Sequence, residues 1–221
     1  MNIEAIIFDL DGVIIDSEPV YLERFQEFLR DKGFEIDLLE MSRMVGMNAQ
    51  QDFAAISSWT NDYFRDYNHY REDMRAYFSK LPEVDYQAIK QDGLDELLAN
   101  FKKRGLKIGL ASASSPRAIQ SALIGTGVFD YFDYVLSGHQ VKRSKPYPDV
   151  YLAVAEKLGV KPEQCIVIED SENGIKAGKN ANMFVVAKRE ERFNFSQKQA
   201  DLIIDQLIDF PFELLERGID E

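Results

Sequence analysis

Ile3-Glu4-Ala5-Ile6-Ile7-Phe8-Asp9-Leu10-Asp11-Gly12 decides how the rest of the chain reads. A short, mostly apolar run that stops at Asp and Gly is the pattern of a buried strand followed by a turn. Three later runs repeat it: Lys107-Ile108-Gly109-Leu110-Ala111 ends at Ser112, Cys165 to Ile168 ends at Glu169-Asp170, and Met183 to Val186 ends near Lys188. Tyr134-Val135-Leu136 and Leu202-Ile203-Ile204 are weaker candidates. Between the runs, Leu94, Leu97, Leu98 and Phe101 share one helix face, as do Tyr151, Val154, Ala155 and Leu158. Gly105 and Gly159 stand where helices end. Strands alternating with helices predict an α/β fold, a parallel sheet covered on both faces and joined by right-handed crossovers.

One stretch breaks the alternation. From Ser17 to Gln87 the pattern is helical with no convincing strand, so residues 17–87 are expected to form an inserted all-α domain between two parts of a core, 1–16 and 88–221. Tyr63, Phe64, Tyr67, Tyr70 and Tyr77 read as a stripe on one helix, with Trp59 just ahead. Packing inside a small bundle is favoured for that stripe over stacking on a sugar. The charged run Lys188–Arg192 reads as a solvated loop.

The chain has 221 residues, 45% hydrophobic and 29% charged, which suits a soluble core domain with a smaller insertion. Its formal net charge of −12 repels nucleic acid and anionic membranes. No run of about 18 apolar residues is present, and the N-terminal residues lack a signal-peptide pattern. One cysteine, Cys165, sits in an apolar run; it forms no intrachain disulfide and reads as a structural thiol, so a cytoplasmic setting is expected. A monomer needs no special assumption.

Asp9, Ser112, Glu169 and Asp170 all fall just after expected strand ends, the edge at which open parallel sheets bind ligands. Each has an ordinary reading. Asp-x-Asp-Gly is also a turn, Glu169-Asp170 can serve a helix N-terminus, and Ser112 can be a helix cap, although Ser114 or Ser115 before Pro116 suits that role better. Taken together they are harder to dismiss, because Asp9, Asp11, Glu169 and Asp170 at one edge would repel one another. A hard divalent cation resolves the repulsion, and magnesium suits best because it takes few carboxylates and accepts phosphate oxygens. Ser112 with nearby backbone N–H groups can hold a phosphoryl group, and Lys145, bracketed by Ser144 and Pro146, offers a fixed positive charge.

These segments resemble, in order, the motifs of the haloacid dehalogenase superfamily: Phe8-Asp9-Leu10-Asp11-Gly12-Val13, Leu110-Ala111-Ser112-Ala113-Ser114, Ser144-Lys145-Pro146 with Pro148-Asp149, and Ile168-Glu169-Asp170-Ser171 with Gly174 and Ala177. The chain looks like the branch holding β-phosphoglucomutases and sugar-phosphate phosphatases. The resemblance implies a Rossmann-like core with a helical cap inserted after the first motif. It implies that Asp9 is the nucleophile and Asp11 the acid and base. It also implies magnesium held by Asp9, the Asp11 carbonyl and Asp170 with Glu169 as ligand or support, and a phosphoryl group held by Ser112, the Ala113 N–H and Lys145.

A β-phosphoglucomutase also uses a cap histidine and a cap arginine. Here Tyr21, in Asp16-Ser17-Glu18-Pro19-Val20-Tyr21, stands at the histidine's place, His69 and His139 lie elsewhere, and Val45-Gly46-Met47-Asn48 carries no arginine. A phosphatase acting on a small phosphorylated metabolite is therefore favoured over a mutase, with Ser17, Glu18, Tyr21, Met47 and Asn48 as candidate substrate contacts. A non-catalytic phospho-aspartate sensor is the remaining alternative, against which Asp11 and the insertion argue.

Overall fold

The computed structural model describes residues 2–45, 49–193 and 196–217. Its elements run β1 (Ala5–Phe8), α1 (Glu18–Asp31), α2 (Leu38–Ser42), α3 (Ala49–Trp59), α4 (Tyr67–Phe78), α5 (Leu94–Lys103), β2 (Lys107–Ser112), α6 (Pro116–Gly125), β3 (Tyr134–Ser137), α7 (Asp149–Leu158), β4 (Cys165–Glu169), α8 (Glu172–Asn180), β5 (Phe184–Lys188), β6 (Leu202–Ile204) and α9 (Leu214–Arg217). The chain divides into two compact units, Met1–Asp16 with Asp85–Glu191 and Phe195–Glu221, and Ser17–Val84 with Arg192–Asn194.

The first unit is built on one parallel sheet of order β3-β2-β1-β4-β5-β6. The apolar runs form strands because both sheet faces are buried. Ile6 and Phe8 join a core with Leu94, Leu97, Leu98 and Phe101 of α5 and Ile119, Ala122 and Leu123 of α6. Ala5 and Ile7 point the other way, to a core with Val150, Tyr151 and Val154 of α7 and Ile175 and Ala177 of α8. Crossovers proceed from β1 outward to β3, then return to β4 and proceed outward to β6. The direction of winding thus reverses between β1 and β4, and a crevice for ligands opens at such a reversal, beyond the carboxyl ends of the strands. Register sets the residues there: Phe8 lies level with Leu110 on one side and Ile168 on the other, so Asp9 stands beside Glu169.

Cys165 is buried, and burial pushes its thiol up to about 12, the behaviour of a packing residue and not a nucleophile. The charged run after β5 is exposed, as expected, at Arg189, Glu191 and Arg192. Arg189 pairs with Asp205, but Glu190 is only 8% exposed, and its backbone N–H donates to Gln197 Oε1 at 3.2 Å. No helix among the described residues is long and apolar enough to cross a membrane.

The second unit is helical and has its own aromatic core: Phe25, Phe28 and Leu29 of α1 with Met41, Ile56, Phe64 and Tyr70. Phe28 stacks on Phe64 with centroids 6.0 Å apart and meets Tyr77 at 5.5 Å. The single-helix stripe expected for these aromatics is corrected. Tyr63 and Phe64 lie between α3 and α4, where Asn61 and Asp62 adopt positive φ and turn the chain, and Asp66 caps α4 by accepting from the His69 N–H. Phe64 is buried, whereas Tyr63 and Tyr67 are exposed on one side, at 47% and 36%.

Asp52 of α3 places one carboxylate oxygen in this unit's interior without a hydrogen-bond partner, and burial raises its pKa to about 6, against the pull of Arg71. A folded-state value above the unfolded one contributes stability below about pH 4, and that contribution is lost as pH rises towards about 6. Asp52→Asn is therefore expected to stabilise the unit above pH 6 by about 1 kcal/mol, the full shift being discounted because the residue is only partly buried. The gain should vanish near pH 4 in urea titrations; a pH-independent difference would contradict this account.

Candidate active site

The turn after β1 sets the first group. Asp9 continues the ladder by donating its N–H to the Ile168 carbonyl at 2.9 Å. Gly12 then adopts φ +83°, and a Cβ there would land on the Asp170 carboxylate. Glycine at this position thus supplies both the left-handed turn and the space that Asp170 fills. Gly12→Ala is expected to cost about 1–3 kcal/mol in thermal unfolding from backbone strain alone, and to displace Asp170 as well. Unchanged stability would show that the turn can relax.

Lys145 enters from the loop before α7 with its side chain only 6% exposed, and its ammonium bridges two carboxylates. It donates to Asp9 Oδ1 at 2.5 Å and to Glu169 Oε1 at 2.7 Å, and lies over the Tyr151 ring at 4.9 Å. Glu169 is held on every side. Its Oε1 also accepts from the Tyr151 hydroxyl at 3.0 Å, while Oε2 accepts the Asp170 and Ser171 N–H groups and the Ser171 hydroxyl at 2.8 to 3.0 Å. A Cβ on Gly174 would strike the same carboxylate, so the start of α8 closes on Glu169 only because that residue is glycine. Ser171 caps α8, accepting from the Gly174 N–H at 3.1 Å.

The partners of Lys145 respond differently. Burial pushes Glu169 up, but Lys145 and the N–H groups of Ser171 and Asp170 outweigh it and hold the carboxyl below its usual range. Asp9 has one strong donor and two acidic neighbours; burial, opposed by Lys145 and reinforced by Glu169 and Asp11, raises it to about 7. Burial also opposes the charge on Lys145, yet Asp9 and Glu169 hold its ammonium well above the usual lysine range.

The second group lies along β2. The Ser112 hydroxyl, 1% exposed, accepts the Ser114 N–H at 3.0 Å. Ser114 Oγ in turn donates to Asp11 Oδ2 at 2.7 Å, and the Ser114 carbonyl accepts from Ser137 Oγ at 2.6 Å. Ser115, not Ser112, caps α6, with Pro116 at the first helical position. Ala113 is exposed just beyond the strand.

The fold thus brings Asp9, Lys145, Glu169 and Asp170 together, and ties Asp11 to the Ser112–Ser114 turn. Asp9, Glu169 and Asp170 offer carboxylate oxygens all within 4.8 Å of one another, a hard oxygen donor set; the Asp11 carboxylate is not part of that group. Three buried carboxylates with one ammonium leave surplus negative charge, and a divalent cation fits that surplus. With both Glu169 oxygens engaged by protein donors, Asp9 and Asp170 are the better ligands and Glu169 the better support. Ser17, Glu18 and Tyr21 occupy the start of α1 in the other unit, where Ser17 is buried and its carbonyl accepts the Tyr21 N–H at 3.0 Å. Met47 and Asn48 lie outside the described residues. Ser114, a capping candidate in the sequence, instead donates to Asp11, and Tyr151, one member of a helix stripe, reaches Glu169 through its hydroxyl; neither long-range contact has a signal in the sequence.

A family model described as haloacid dehalogenase-like hydrolase matches residues 3–182. The chain belongs to that family. It is similar to a phosphorylated carbohydrates phosphatase of Thermotoga maritima, 31% identical over 186 residues covering 81% of this chain and 82% of the relative. It is also similar to a β-phosphoglucomutase of Bacillus subtilis, 30% identical over 220 residues covering 96% and 93%. Among solved structures it resembles a β-phosphoglucomutase from Clostridium difficile with TM-score 0.77 and 33% identity, covering 97% of this chain and 96% of that one. Within the haloacid dehalogenase-like hydrolases, the chain is an enzyme of the phosphatase type in the β-phosphoglucomutase-like branch.

Proposed function

We propose that the chain is a magnesium-dependent phosphatase of small phosphorylated sugars that works through an aspartyl-phosphate on Asp9. The observation that carries this reading is the buried Lys145 ammonium bridging Asp9 and Glu169 beside Asp170, at the edge where the winding reverses. Residues 17–87 serve as the cap that selects the sugar, which the start of the helical unit at Ser17, shortly after Asp11, and its separate aromatic core support. The enzyme acts as a cytoplasmic monomer, a setting with which a buried thiol agrees.

Asp9, Asp170 and the Asp11 carbonyl would hold magnesium, which when bound neutralises the acidic cluster and polarises a phosphate oxygen. Asp9 attacks phosphorus in line; the P–O ester bond breaks as the Asp9–phosphorus bond forms. Asp11, oriented by the Ser114 hydroxyl, gives the leaving oxygen its proton, then takes one from the water that hydrolyses the phospho-aspartate. Ser112, the Ala113 N–H and Lys145 balance the charge on the transferring group.

Phosphate release from a panel of sugar phosphates and other phosphomonoesters, with and without magnesium, tests the reading alongside conversion of β-glucose 1-phosphate to glucose 6-phosphate. Magnesium-dependent release is expected. Isomerisation with little free phosphate would instead make the chain a mutase, the activity named for the Bacillus subtilis and Clostridium difficile relatives.

A further inference from the structure

Asp170 is gripped at three points, one of them from far along the chain. Its N–H donates to Glu169 Oε2 at 2.8 Å, and its carboxylate fills the space left by Gly12. Its carbonyl accepts from Gln197 Nε2 at 2.6 Å. The same amide nitrogen donates to the Lys188 carbonyl at 2.7 Å, and Gln197 Oε1 accepts the Glu190 N–H at 3.2 Å. Gln197 is 8% exposed. One buried amide therefore satisfies the end of β5 at Lys188, the N–H of Glu190 two residues on, and the backbone of Asp170. Next to it, the Ser196 N–H donates to Glu172 Oε2 at 3.0 Å and ties the same segment to the first turn of α8.

We propose that Gln197 is a positioning residue for the magnesium site, acting through the backbone of Asp170. The peptide between Asp170 and Ser171 is clamped at both ends, its carbonyl by Gln197 and its N–H by Glu169 Oε2 at 2.9 Å. Fixing that plane fixes the direction in which the Asp170 side chain leaves the backbone. Without the Gln197 donor, the buried carbonyl must turn to find another partner, and the carboxylate turns with it. Groups that orient a ligand in this way commonly change metal affinity by about 10- to 100-fold when removed. The inference rests on Asp170 being a magnesium ligand.

The test is magnesium titration by calorimetry on the full chain without substrate, comparing wild type, Gln197→Met, Gln197→Asn and Gln164→Met. Gln164 also makes a side-chain hydrogen bond, to Glu4, but before β4 at the opposite edge of the sheet. Weakening of magnesium binding by about 10-fold is expected in both Gln197 variants at unchanged far-UV circular dichroism, with Gln164→Met binding as wild type does. A purely structural role would lower thermal stability and leave the dissociation constant of the folded protein alone. Wild-type affinity in the Gln197 variants overturns the proposal, as does a Gln197→Asn protein that no longer folds, since that would make the amide a requirement of the fold. Wild type that binds no magnesium would instead sink the metal reading on which the proposal rests.

Discussion

Asp9→Asn is expected to lower kcat by about 10⁴-fold or more on whichever phosphoester the wild type prefers. The substitution keeps the shape of the side chain but removes the nucleophilic oxygen, so no general acid or bound cation can restore the first step. Stability should move the other way. Asp9 is buried among Glu169, Asp11 and Asp170, and an amide takes one charge out of that crowd. The melting temperature in magnesium-free buffer is expected to equal or exceed that of wild type. Loss of activity together with loss of fold would mean that the carboxylate is needed for structure, and would remove the basis for calling it a nucleophile.

Lys145→Ala is the second large effect, and here fold and catalysis fall together. The ammonium neutralises two buried carboxylates, so truncation leaves Asp9 and Glu169 facing each other without it. Breaking a buried pair in this way costs about 3–5 kcal/mol. In any protein that folds, losing a fixed positive charge at the transferring group is expected to lower kcat by about 10²- to 10³-fold. Lys145→Arg should not restore activity, because a planar guanidinium needs more room than a 6% exposed slot lined by the Tyr151 ring provides. Urea unfolding and kcat measured on the same preparations separate the two losses. Near-wild-type values of both would contradict the bridging role.

The sheet was legible because its strands are buried on both faces, which writes them as apolar runs, and because each run stops at residues that chemistry or turns require. Asp9, Ser112 and Glu169 could be grouped from sequence for the same reason: parallel strands put all their carboxyl ends on one edge. What was not legible depends on contacts across large sequence separations. Tyr151 was correctly read as buried in a helix stripe, but nothing in a stripe reveals that its hydroxyl reaches Glu169. Gln197 reads as one more polar residue in a loop, since a side chain bonded to distant backbone leaves no period. The aromatic stripe failed because Tyr63 and Phe64 happen to continue the spacing of α4 while lying in the turn ahead of it. The burial of Phe64 was anticipated, its place in the chain was not.

The most direct test of the account is rapid acid quench of a single turnover, followed by peptide mass spectrometry. Wild-type enzyme is expected to carry one phosphoryl group on the peptide containing Asp9, forming before phosphate is released and absent in Asp9→Asn. Turnover without any phospho-Asp9, and with inversion of configuration at phosphorus, would mean that water attacks directly and that Asp9 is not the nucleophile.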